Sequence, residues 1–563
     1  MGFYSAHERK ILAKLAEAVV PGGTWVPAGG DATVERFERY LSGVPAWAAA
    51  ATKSAAWGIE TGAVPFTGRP FSRLSLEARI TLLDRWGNLG VPALRHALRG
   101  LTAGLKSVHF DTPELFARVD APYGVPPAKD ETPRWLSQVT DGREVREDMR
   151  LECDVVIVGT GAGGAPLAYE LARRGHAVVL VEEGRYFRRA DFNGHAAEMT
   201  RTMYRDGGMT VAFGNISPPV WTGVTVGGTT TVNSGTCYRT PERTFRRWRQ
   251  NFGLSMFSTE AMDAYYRQVE AVLGVEPARM EFVGGVGRII ARGADRLGWN
   301  HTPLRRNAPD CDGQGLCCFG CPTGAKRSTD VSYVPMALER GAMLISSAKA
   351  ETLRVEHGEA RGIVATSMGG AKITIDARMT VLACGTLMTP VMLQGNHGLA
   401  NSSGMVGKNL SIHPAGALFA LFDEQVDMHR AIPQGYAVEQ FAEDGMMFEG
   451  GSTPLDVTAI AMQLTGHRFV EVMESFRNLC AFGFMIQDTS RGRVRRGPGG
   501  RPIMTYTLNQ HDASRMQRSV EAISQLYFAA GARSVFPTVA GFDELRSTAD
   551  LARLRTATLD RRA

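Results

Sequence analysis

The sequence predicts an α/β fold: a doubly wound, Rossmann-like nucleotide-binding domain, an α+β substrate domain built on an antiparallel sheet, and a helical N-terminal region. Three observations support this fold class. Helical periodicity dominates the first 120 residues or so, strands alternate with helices from about residue 150, and residues 493–507 have a hairpin pattern. A chain of 563 residues is also long enough for about two to four domains.

The N-terminal region begins with a capping box, Ser5-x-x-Glu8, and the amphipathic helix that follows should end before Pro21. A second amphipathic helix is predicted around Ile80. A third helix carries a leucine stripe with basic side chains off that face: Leu94, Leu98, Leu101 and Leu105, then Arg95, Arg99 and Lys106. Such a helix can lie on a membrane surface, but packing of the stripe against the rest of the protein is the favoured interpretation.

The strongest local signal is a strand, a glycine-rich turn, a helix, a second strand and an acidic residue in that order. They occupy 154–158, 159–164, 165–174, 177–181 and Glu182. This arrangement is typical of a dinucleotide site, because the helix N-terminus presents free N–H groups to a pyrophosphate.

Each part of this motif has a mechanical role. Gly159 allows the tight turn, Gly161 lets the backbone approach the pyrophosphate, and Gly164 brings the helix close to the strand. Glu182 can accept hydrogen bonds from both hydroxyls of an adenosine ribose. We therefore predict a nucleotide site here.

Three further segments continue the pattern. Gly227 to Gly235 offers backbone N–H groups, four hydroxyls and an amide, enough to wrap a long polar ligand, which a simple NAD fold does not require. Met379 to Gly385 is another strand followed by glycine. Arg493 to Thr507 predicts a hairpin that turns at Gly497 to Gly500, and hence an antiparallel sheet.

The bulk composition excludes several classes. A net charge of +6 is spread along the chain, and its basic runs at 243–249 and 491–496 read as solvated surfaces, so no nucleic-acid partner is expected. No apolar run reaches membrane-span length, and charged residues interrupt any secretory signal. We expect a cytoplasmic protein whose eight cysteines are reduced.

Taken together, the motifs resemble the glucose–methanol–choline (GMC) family of FAD oxidoreductases, in particular its long-chain alcohol oxidase-like branch. The resemblance runs from about Asp154 to Gly541 and is carried by six spaced segments. These are 159–182; Gly227, Gly228, Thr229 and Asn233; 238–241; 317–328 (CCFGCPTGAKRS); 382–390; and 406–414.

The resemblance implies FAD as the cofactor and assigns its contacts. Gly159, Gly161 and Gly164 would bind the pyrophosphate and Glu182 the adenosine ribose. Gly227, Gly228, Thr229 and Asn233 would lie along the ribityl chain and the isoalloxazine, and Gly385 would follow another strand of the FAD domain.

The domain boundaries expected from these motifs divide the chain into six parts. They are a helical N-terminal region, 1–130; the FAD-binding domain, 150–240 and 326–412; a substrate or cap segment, 241–325; an antiparallel-sheet substrate domain, 413–541; and a C-terminal segment, 542–563.

The family's catalytic histidine segment has no match before the sequence reaches Leu559 to Ala563. We expect that segment to come from sequence beyond residue 563 or from another chain, since a sheet without its last strand exposes an edge. His413 belongs to a different family segment, and His511 reads as a surface or capping histidine. No catalytic residue and no metal ligand is assigned.

Cys311, Cys317, Cys318 and Cys321 lie within eleven residues, interleaved with glycines. This cluster suits either an iron–sulfur site or a packed loop with free thiols or a disulfide, and the loop is the favoured interpretation because the spacing differs from ferredoxin runs.

By resemblance, the chain oxidises a lipophilic alcohol, long-chain or sterol-like, by hydride transfer to flavin. Two alternatives stay open: a non-catalytic or split flavoprotein subunit whose partner chain supplies the base, and an iron–sulfur flavin dehydrogenase that feeds an electron carrier. The expected partners are a small alcohol substrate and either a second polypeptide or an electron acceptor.

Overall fold

A computed structural model of the chain describes residues 3–89, 92–128, 132–539 and 541–557. Residues 129–131 and the segment 558–563, where the family's catalytic histidine segment is expected to begin, lie outside the described residues.

The helices follow the predicted pattern, with the first beginning at the capping box and ending before Pro21. In the described residues they are α1 Ala6–Val19, α2 Asp31–Leu41, α3 Ala46–Gly62, α4 Val64–Thr67, α5 Leu76–Asn88, α6 Pro92–Phe110, α7 Pro113–Arg118, α8 Gly164–Ala172, α9 Ala196–Met203, α10 Thr229–Val232, α11 Glu242–Phe252, α12 Thr259–Leu273, α13 Met280–Leu297, α14 Tyr333–Leu338, α15 Gly385–Gly395, α16 Leu455–Ala461, α17 Gly466–Glu474, α18 Gln510–Ala530 and α19 Thr548–Thr556.

The strands begin after the N-terminal helices and continue almost to the end of the described chain. They are β1 Val139–Asp141, β2 Met149–Val158, β3 Val178–Val181, β4 Ala212–Phe213, β5 Glu276–Pro277, β6 His301–Pro303, β7 Arg305–Arg306, β8 Met343–Ser346, β9 Ala348–Glu356, β10 Glu359–Ser367, β11 Lys372–Leu382, β12 Lys408–Leu410, β13 Ala415–Leu421, β14 Gln434–Val438, β15 Met446–Gly451, β16 Leu479–Ile486, β17 Gly492–Arg496, β18 Pro502–Thr505 and β19 Ser534–Phe536.

The nucleotide-binding domain is a seven-stranded sheet with the order β1-β8-β3-β2-β11-β10-β9. Its first five strands are parallel, and β10 and β9 continue antiparallel. Helix α8 connects β2 to β3 and buries only small side chains, those of Ala165, Ala168 and Ala172. The predicted doubly wound domain is confirmed, and the predicted glycine turn lies at the carboxyl end of β2.

The substrate side of the molecule is mainly antiparallel, as predicted, with one parallel pair formed by β18 and β4. A six-stranded sheet has the order β19-β13-β16-β15-β14-β6, and a four-stranded sheet has the order β12-β17-β18-β4. The predicted hairpin is β17 and β18. Both sheets take one strand from earlier in the chain, β6 and β4. The domain boundaries remain a prediction.

The N-terminal helices share one hydrophobic core with the six-stranded sheet and with α13 and α18. Phe110 of α6 packs edge-to-face against Phe469 of α17, with ring centroids 5.7 Å apart. Three members of the leucine stripe, Leu98, Leu101 and Leu105, are buried. The described helices include none long and apolar enough to cross a membrane.

The basic side of α6 is also partly buried, which its amphipathic pattern does not predict. Lys106 is 2% exposed and donates hydrogen bonds to the carbonyl oxygens of Met462 and Leu464, at 2.7 and 2.6 Å, just beyond the C-terminus of α16. Its ammonium lies 4.2 Å from the ring centroid of Phe469. Burial, and then the nearby Arg99, lower the pKa of Lys106 to about 7.

Candidate functional site

The glycine turn after β2 is packed so tightly that side chains are excluded at two of its positions. Gly159 has φ of +102°, and a Cβ on Gly164 would lie 2.0 Å from the carbonyl oxygen of Gly159. Gly161 differs, because the nearest atom that its Cβ would meet is 4.0 Å away. The turn therefore presents open backbone at Gly161, at the N-terminus of α8, where an anion is favoured.

Glu182 follows β3 and is held by the same turn. Its Oε2 accepts hydrogen bonds from the Thr160 N–H, at 3.0 Å, and the Thr160 hydroxyl, at 2.8 Å, and its Oε1 accepts one from the Gly184 N–H, at 3.0 Å. Burial is the main cause that raises the pKa of this carboxyl to about 7. A carboxylate has about four acceptor positions, so about one remains for a ribose hydroxyl, whose hydrogen bond would favour the ionised form.

The second glycine segment lies directly against the first. The Gly227 N–H donates to the Thr160 hydroxyl at 2.9 Å, and a Cβ on Gly228 would lie 3.2 Å from the Cα of Gly161. Thr329 joins the two segments, since its hydroxyl lies 2.9 Å from the carbonyl oxygen of Thr160 and 3.2 Å from that of Gly227. Two motifs about seventy residues apart in sequence thus form one backbone-lined surface.

Lys326 positions this surface and was not assigned a role from the sequence. Its buried ammonium donates to the carbonyl oxygens of Thr230, Thr231 and Asn233, at 3.1, 2.7 and 2.7 Å. These groups belong to α10 and its C-terminal residue, so the positive charge lies where a helix favours a cation. The sequence offers one signal for this role: Lys326 is the single lysine of the segment 317–328, CCFGCPTGAKRS.

One large cavity joins the predicted cofactor residues to the antiparallel sheet. Its volume is about 2540 Å³, well above the roughly 300–1,000 Å³ of an ordinary ligand pocket. It is lined by seven of the nine predicted cofactor residues: Gly159, Gly161, Glu182, Gly228, Thr229, Asn233 and Gly385. Gly164 and Gly227 lie behind this lining and support it.

The two histidines considered from the sequence lie in different places. His413 precedes β13, has φ of +36° and lines the cavity. His511 is exposed in the first turn of α18 and lies outside the cavity lining. That turn is capped by Asn509, whose side chain accepts a hydrogen bond from the Asp512 N–H at 2.9 Å.

The cysteine cluster is a loop of free thiols with separate hydrogen-bond partners. Cys317 Sγ accepts from the Arg306 guanidinium at 3.0 Å, and Cys321 Sγ accepts from the Lys326 N–H at 3.4 Å. Within the residues that the structure describes, no three His, Cys, Asp or Glu side chains converge as metal ligands. The iron–sulfur alternative therefore finds no ligand set in that part of the chain.

The fold and the glycine surfaces define a flavin-dependent oxidoreductase, and comparison with known proteins identifies the family. Residues 200–415 match the GMC oxidoreductase family model and residues 154–198 match the FAD binding domain model. A GMC-type oxidoreductase of Mycobacterium tuberculosis, described as uncharacterized, is 33% identical over 545 residues, covering 96% of this chain and 85% of the relative. The chain belongs to the GMC oxidoreductase family.

More distant relatives agree with this assignment. A long-chain-alcohol oxidase of Arabidopsis thaliana is 28% identical over 71% of this chain, which spans 54% of the relative's length. A crystal structure of formate oxidase shares the fold, with a TM-score of 0.55 at 13% identity over 72% of this chain and 86% of that chain.

FAD is the cofactor of this family, and the residues present fit it. The open backbone at Gly161 faces the cavity at the N-terminus of α8, where a pyrophosphate is favoured. Glu182 retains an acceptor position, and the segment from Gly227 to Asn233 extends the polar lining beyond the turn. The cavity is large enough in volume for FAD together with a second molecule.

Proposed function

We propose that this chain oxidises a lipophilic alcohol to the corresponding carbonyl compound. The observation that carries the proposal is one large cavity whose lining includes both the glycine turn after β2 and a group of apolar side chains, here called the apolar wall. The apolar wall is formed by Phe37, Leu41, Phe419, Ile460, Met462, Met516 and Val539. A hydrocarbon chain placed against this wall would bring a hydroxyl group toward the flavin end.

We also propose the cofactor contacts. Gly159, Gly161 and Gly164 shape the pyrophosphate site, and Glu182 accepts hydrogen bonds from the adenosine ribose hydroxyls. The segment of Gly227, Gly228, Thr229 and Asn233 would lie along the ribityl chain and the flavin ring, with Gly385 at the N-terminus of α15. When bound, FAD supplies a hydride acceptor, and the chain contributes orientation and exclusion of water.

The relatives support a lipophilic substrate without defining its size. Long-chain-alcohol oxidases of Arabidopsis thaliana are 26 to 31% identical to this chain over 54 to 71% of its length. A 2-methyl-1,2-propanediol dehydrogenase of Mycolicibacterium austroafricanum is 27% identical over 46% of this chain. The apolar wall favours the longer substrates, because a short diol would leave it in contact with water.

The chain-length dependence of oxidation tests this proposal. The FAD-loaded chain is assayed with straight primary alcohols from 1-butanol to 1-decanol, with oxygen and with an artificial electron acceptor in separate reactions. Each buried methylene contributes about 0.8 kcal/mol, so we expect kcat/KM to rise by about fourfold per carbon until the wall is filled. Equal kcat/KM for all chain lengths, or activity with short diols alone, would contradict a lipophilic substrate.

A further inference from the structure

The four-stranded sheet has one buried face and one exposed face. Ala212, Val494 and Met504 lie on the buried face, in a hydrophobic cluster that includes Leu387 and Val391 of α15. Because successive side chains of a strand point to opposite sides, the residues that alternate with these three lie on the other face. That second face is exposed to solvent.

A row of exposed residues crosses this second face from edge to edge. Phe213 of β4 pairs with Thr505 of β18, and Thr505 pairs with Arg493 of β17. Arg493 pairs in turn with Lys408 of β12. A further exposed pair, from β17 and β18, lies beside the row. The six residues are here called the basic sheet face: Phe213, Thr505, Arg493, Lys408, Arg495 and Ile503.

The charge of the basic sheet face is entirely positive. The segments that supply the sheet, 209–224, 405–414 and 489–508, contain neither Asp nor Glu. Charged side chains on an edge strand prevent unwanted strand pairing, which would account for Lys408 on β12. Arg493 and Arg495 lie on the inner strand β17, so protection of an edge does not account for them.

Large apolar side chains are exposed among and beside these basic groups. Phe213 is 58% exposed, and Trp221, which follows β4, is 62% exposed. Trp47, at the start of α3, is also exposed, and the Arg501 guanidinium of the hairpin lies 5.8 Å from its ring centroid. Exposed aromatic side chains combined with Lys and Arg are typical of surfaces that lie at a membrane interface.

The exposed aromatic side chains connect this surface with the cavity. Phe213 and Trp221 belong to the cavity lining, as do Gly499 and Gly500 at the turn of the hairpin. The sheet therefore presents basic side chains on its outer face and aromatic side chains beside the cavity. A lipophilic alcohol dissolved in a bilayer at this surface could enter the cavity with little exposure to water, which apolar groups avoid.

We propose that the basic sheet face docks on a membrane surface that carries anionic lipids, and that the alcohol substrate enters the cavity from this membrane. The basic side chains supply attraction to the anionic headgroups, and the exposed aromatic side chains supply apolar contact. The uptake of substrate rests on the proposed function, whereas the docking does not depend on it.

Binding to lipid vesicles tests the docking. The FAD-loaded chain is mixed with phosphatidylcholine vesicles that contain or lack phosphatidylserine, and bound protein is measured by sedimentation. We expect tighter binding with phosphatidylserine, weakened by salt. Each basic residue near such a surface contributes about 1 kcal/mol, which is about fivefold in binding. The triple variant Lys408→Gln, Arg493→Gln, Arg495→Gln should therefore bind on the order of 100-fold more weakly.

A second triple variant is the matched control. Lys10→Gln, Arg118→Gln and Arg340→Gln remove the same charge from exposed positions outside this sheet, and this variant should bind as the wild type does. Equal binding of the wild type and the sheet variant, or equal binding to both kinds of vesicle, overturns the docking. Soluble polyglutamate is the probe for an acidic protein partner, and binding to polyglutamate without binding to vesicles also overturns it.

Oxidation of an alcohol held in the vesicles tests the uptake of substrate. With 1-hexadecanol in phosphatidylserine vesicles, the sheet variant should be slower than the wild type by at least about tenfold. With 1-octanol in solution and no vesicles, both should have the same kcat/KM, because the substituted residues lie outside the cavity lining. Equal rates with 1-hexadecanol overturn the uptake. If the wild type binds vesicles but oxidises neither alcohol, the proposed function fails while the docking stands.

Discussion

At the scale of single residues, Gly164 is the position where the cofactor surface tolerates least change. An added Cβ would overlap the Gly159 carbonyl oxygen at 2.0 Å, so α8 must move away from the turn. We expect Gly164→Ala to weaken FAD binding at least about tenfold, which is roughly 1.4 kcal/mol. Titration of the flavin-free protein with FAD, followed by flavin fluorescence, measures this change.

The neighbouring glycine provides the control. A Cβ on Gly163 would meet only the Ala383 methyl group, at 4.0 Å, so Gly163→Ala should leave α8 in place and weaken FAD binding less than Gly164→Ala does. Equal FAD affinity for Gly164→Ala and the wild type would show that the turn does not contact the cofactor as proposed.

Asp456 gives a prediction about pH and stability. Burial, and then the negative charge of Asp111, raise its pKa from the usual 3.8 to about 7. Because the folded-state pKa lies above the unfolded one, the stabilising contribution is complete below about pH 4 and is lost as pH rises through 7. The free energy of unfolding therefore falls by at most about 1.4 kcal/mol per pH unit in this range.

The wild type should therefore lose thermal stability relative to Asp456→Asn between pH 4.5 and pH 7.5. Melting temperatures of both proteins at several pH values measure the difference. If the two melting temperatures differ by the same amount at every pH in that range, Asp456 is not desolvated and its pKa is not raised.

At the scale of elements, Lys326 holds α10 and Asn233 in place. Lys326→Met removes three hydrogen bonds and leaves buried carbonyl oxygens unpaired. Each charge-assisted bond contributes about 1.5–3 kcal/mol, so we expect a loss of about 3 kcal/mol or more of stability together with loss of bound FAD. Thermal melting and flavin content after purification report the two effects.

Arg327→Met is the matched control for this prediction. The Arg327 side chain is 40% exposed and pairs with the exposed Asp310, and such surface pairs contribute about 0–1 kcal/mol. If Lys326→Met keeps its FAD and has the same melting temperature as Arg327→Met, the conformation of the segment 229–233 does not depend on the lysine.

The elements that the sequence predicts well are those coded locally. The glycine turn, α8 and β3 occupy consecutive positions, and their order alone defines the nucleotide site. Lys326 could not be assigned in this way. Its acceptors lie 93 to 96 residues earlier and meet its ammonium only in the folded chain.

At the scale of the whole molecule, the N-terminal helices and the antiparallel sheet are parts of one core. Phe110 is fully buried against Phe469, and truncation of such a side chain costs about 3–5 kcal/mol. We expect Phe110→Ala to lower the melting temperature of the entire protein. Unfolding and release of FAD should occur together in one transition.

Phe66→Ala is the control, because Phe66 is 41% exposed and its truncation should cost less than about 1 kcal/mol. Release of FAD at the wild-type temperature while the N-terminal helices of Phe110→Ala unfold earlier would show that the two regions are energetically separate.

The cavity is the feature of the whole molecule that the sequence did not predict. Its wall combines side chains of α2 and α6, the glycine turn after β2 and strands of the antiparallel sheet. Periodicity identified the leucine face of α6, and that face is buried. Periodicity did not indicate that residues on the opposite face of α6 would line the cavity, since this depends on how distant elements pack.

The most direct test of alcohol oxidation by this chain is a single-turnover measurement. The FAD-loaded protein is mixed with excess 1-octanol without oxygen, and the absorption of oxidised flavin is followed while octanal is quantified. The account predicts that this absorption disappears and that one octanal forms per flavin reduced. An unchanged flavin spectrum in protein that binds both FAD and 1-octanol would contradict it.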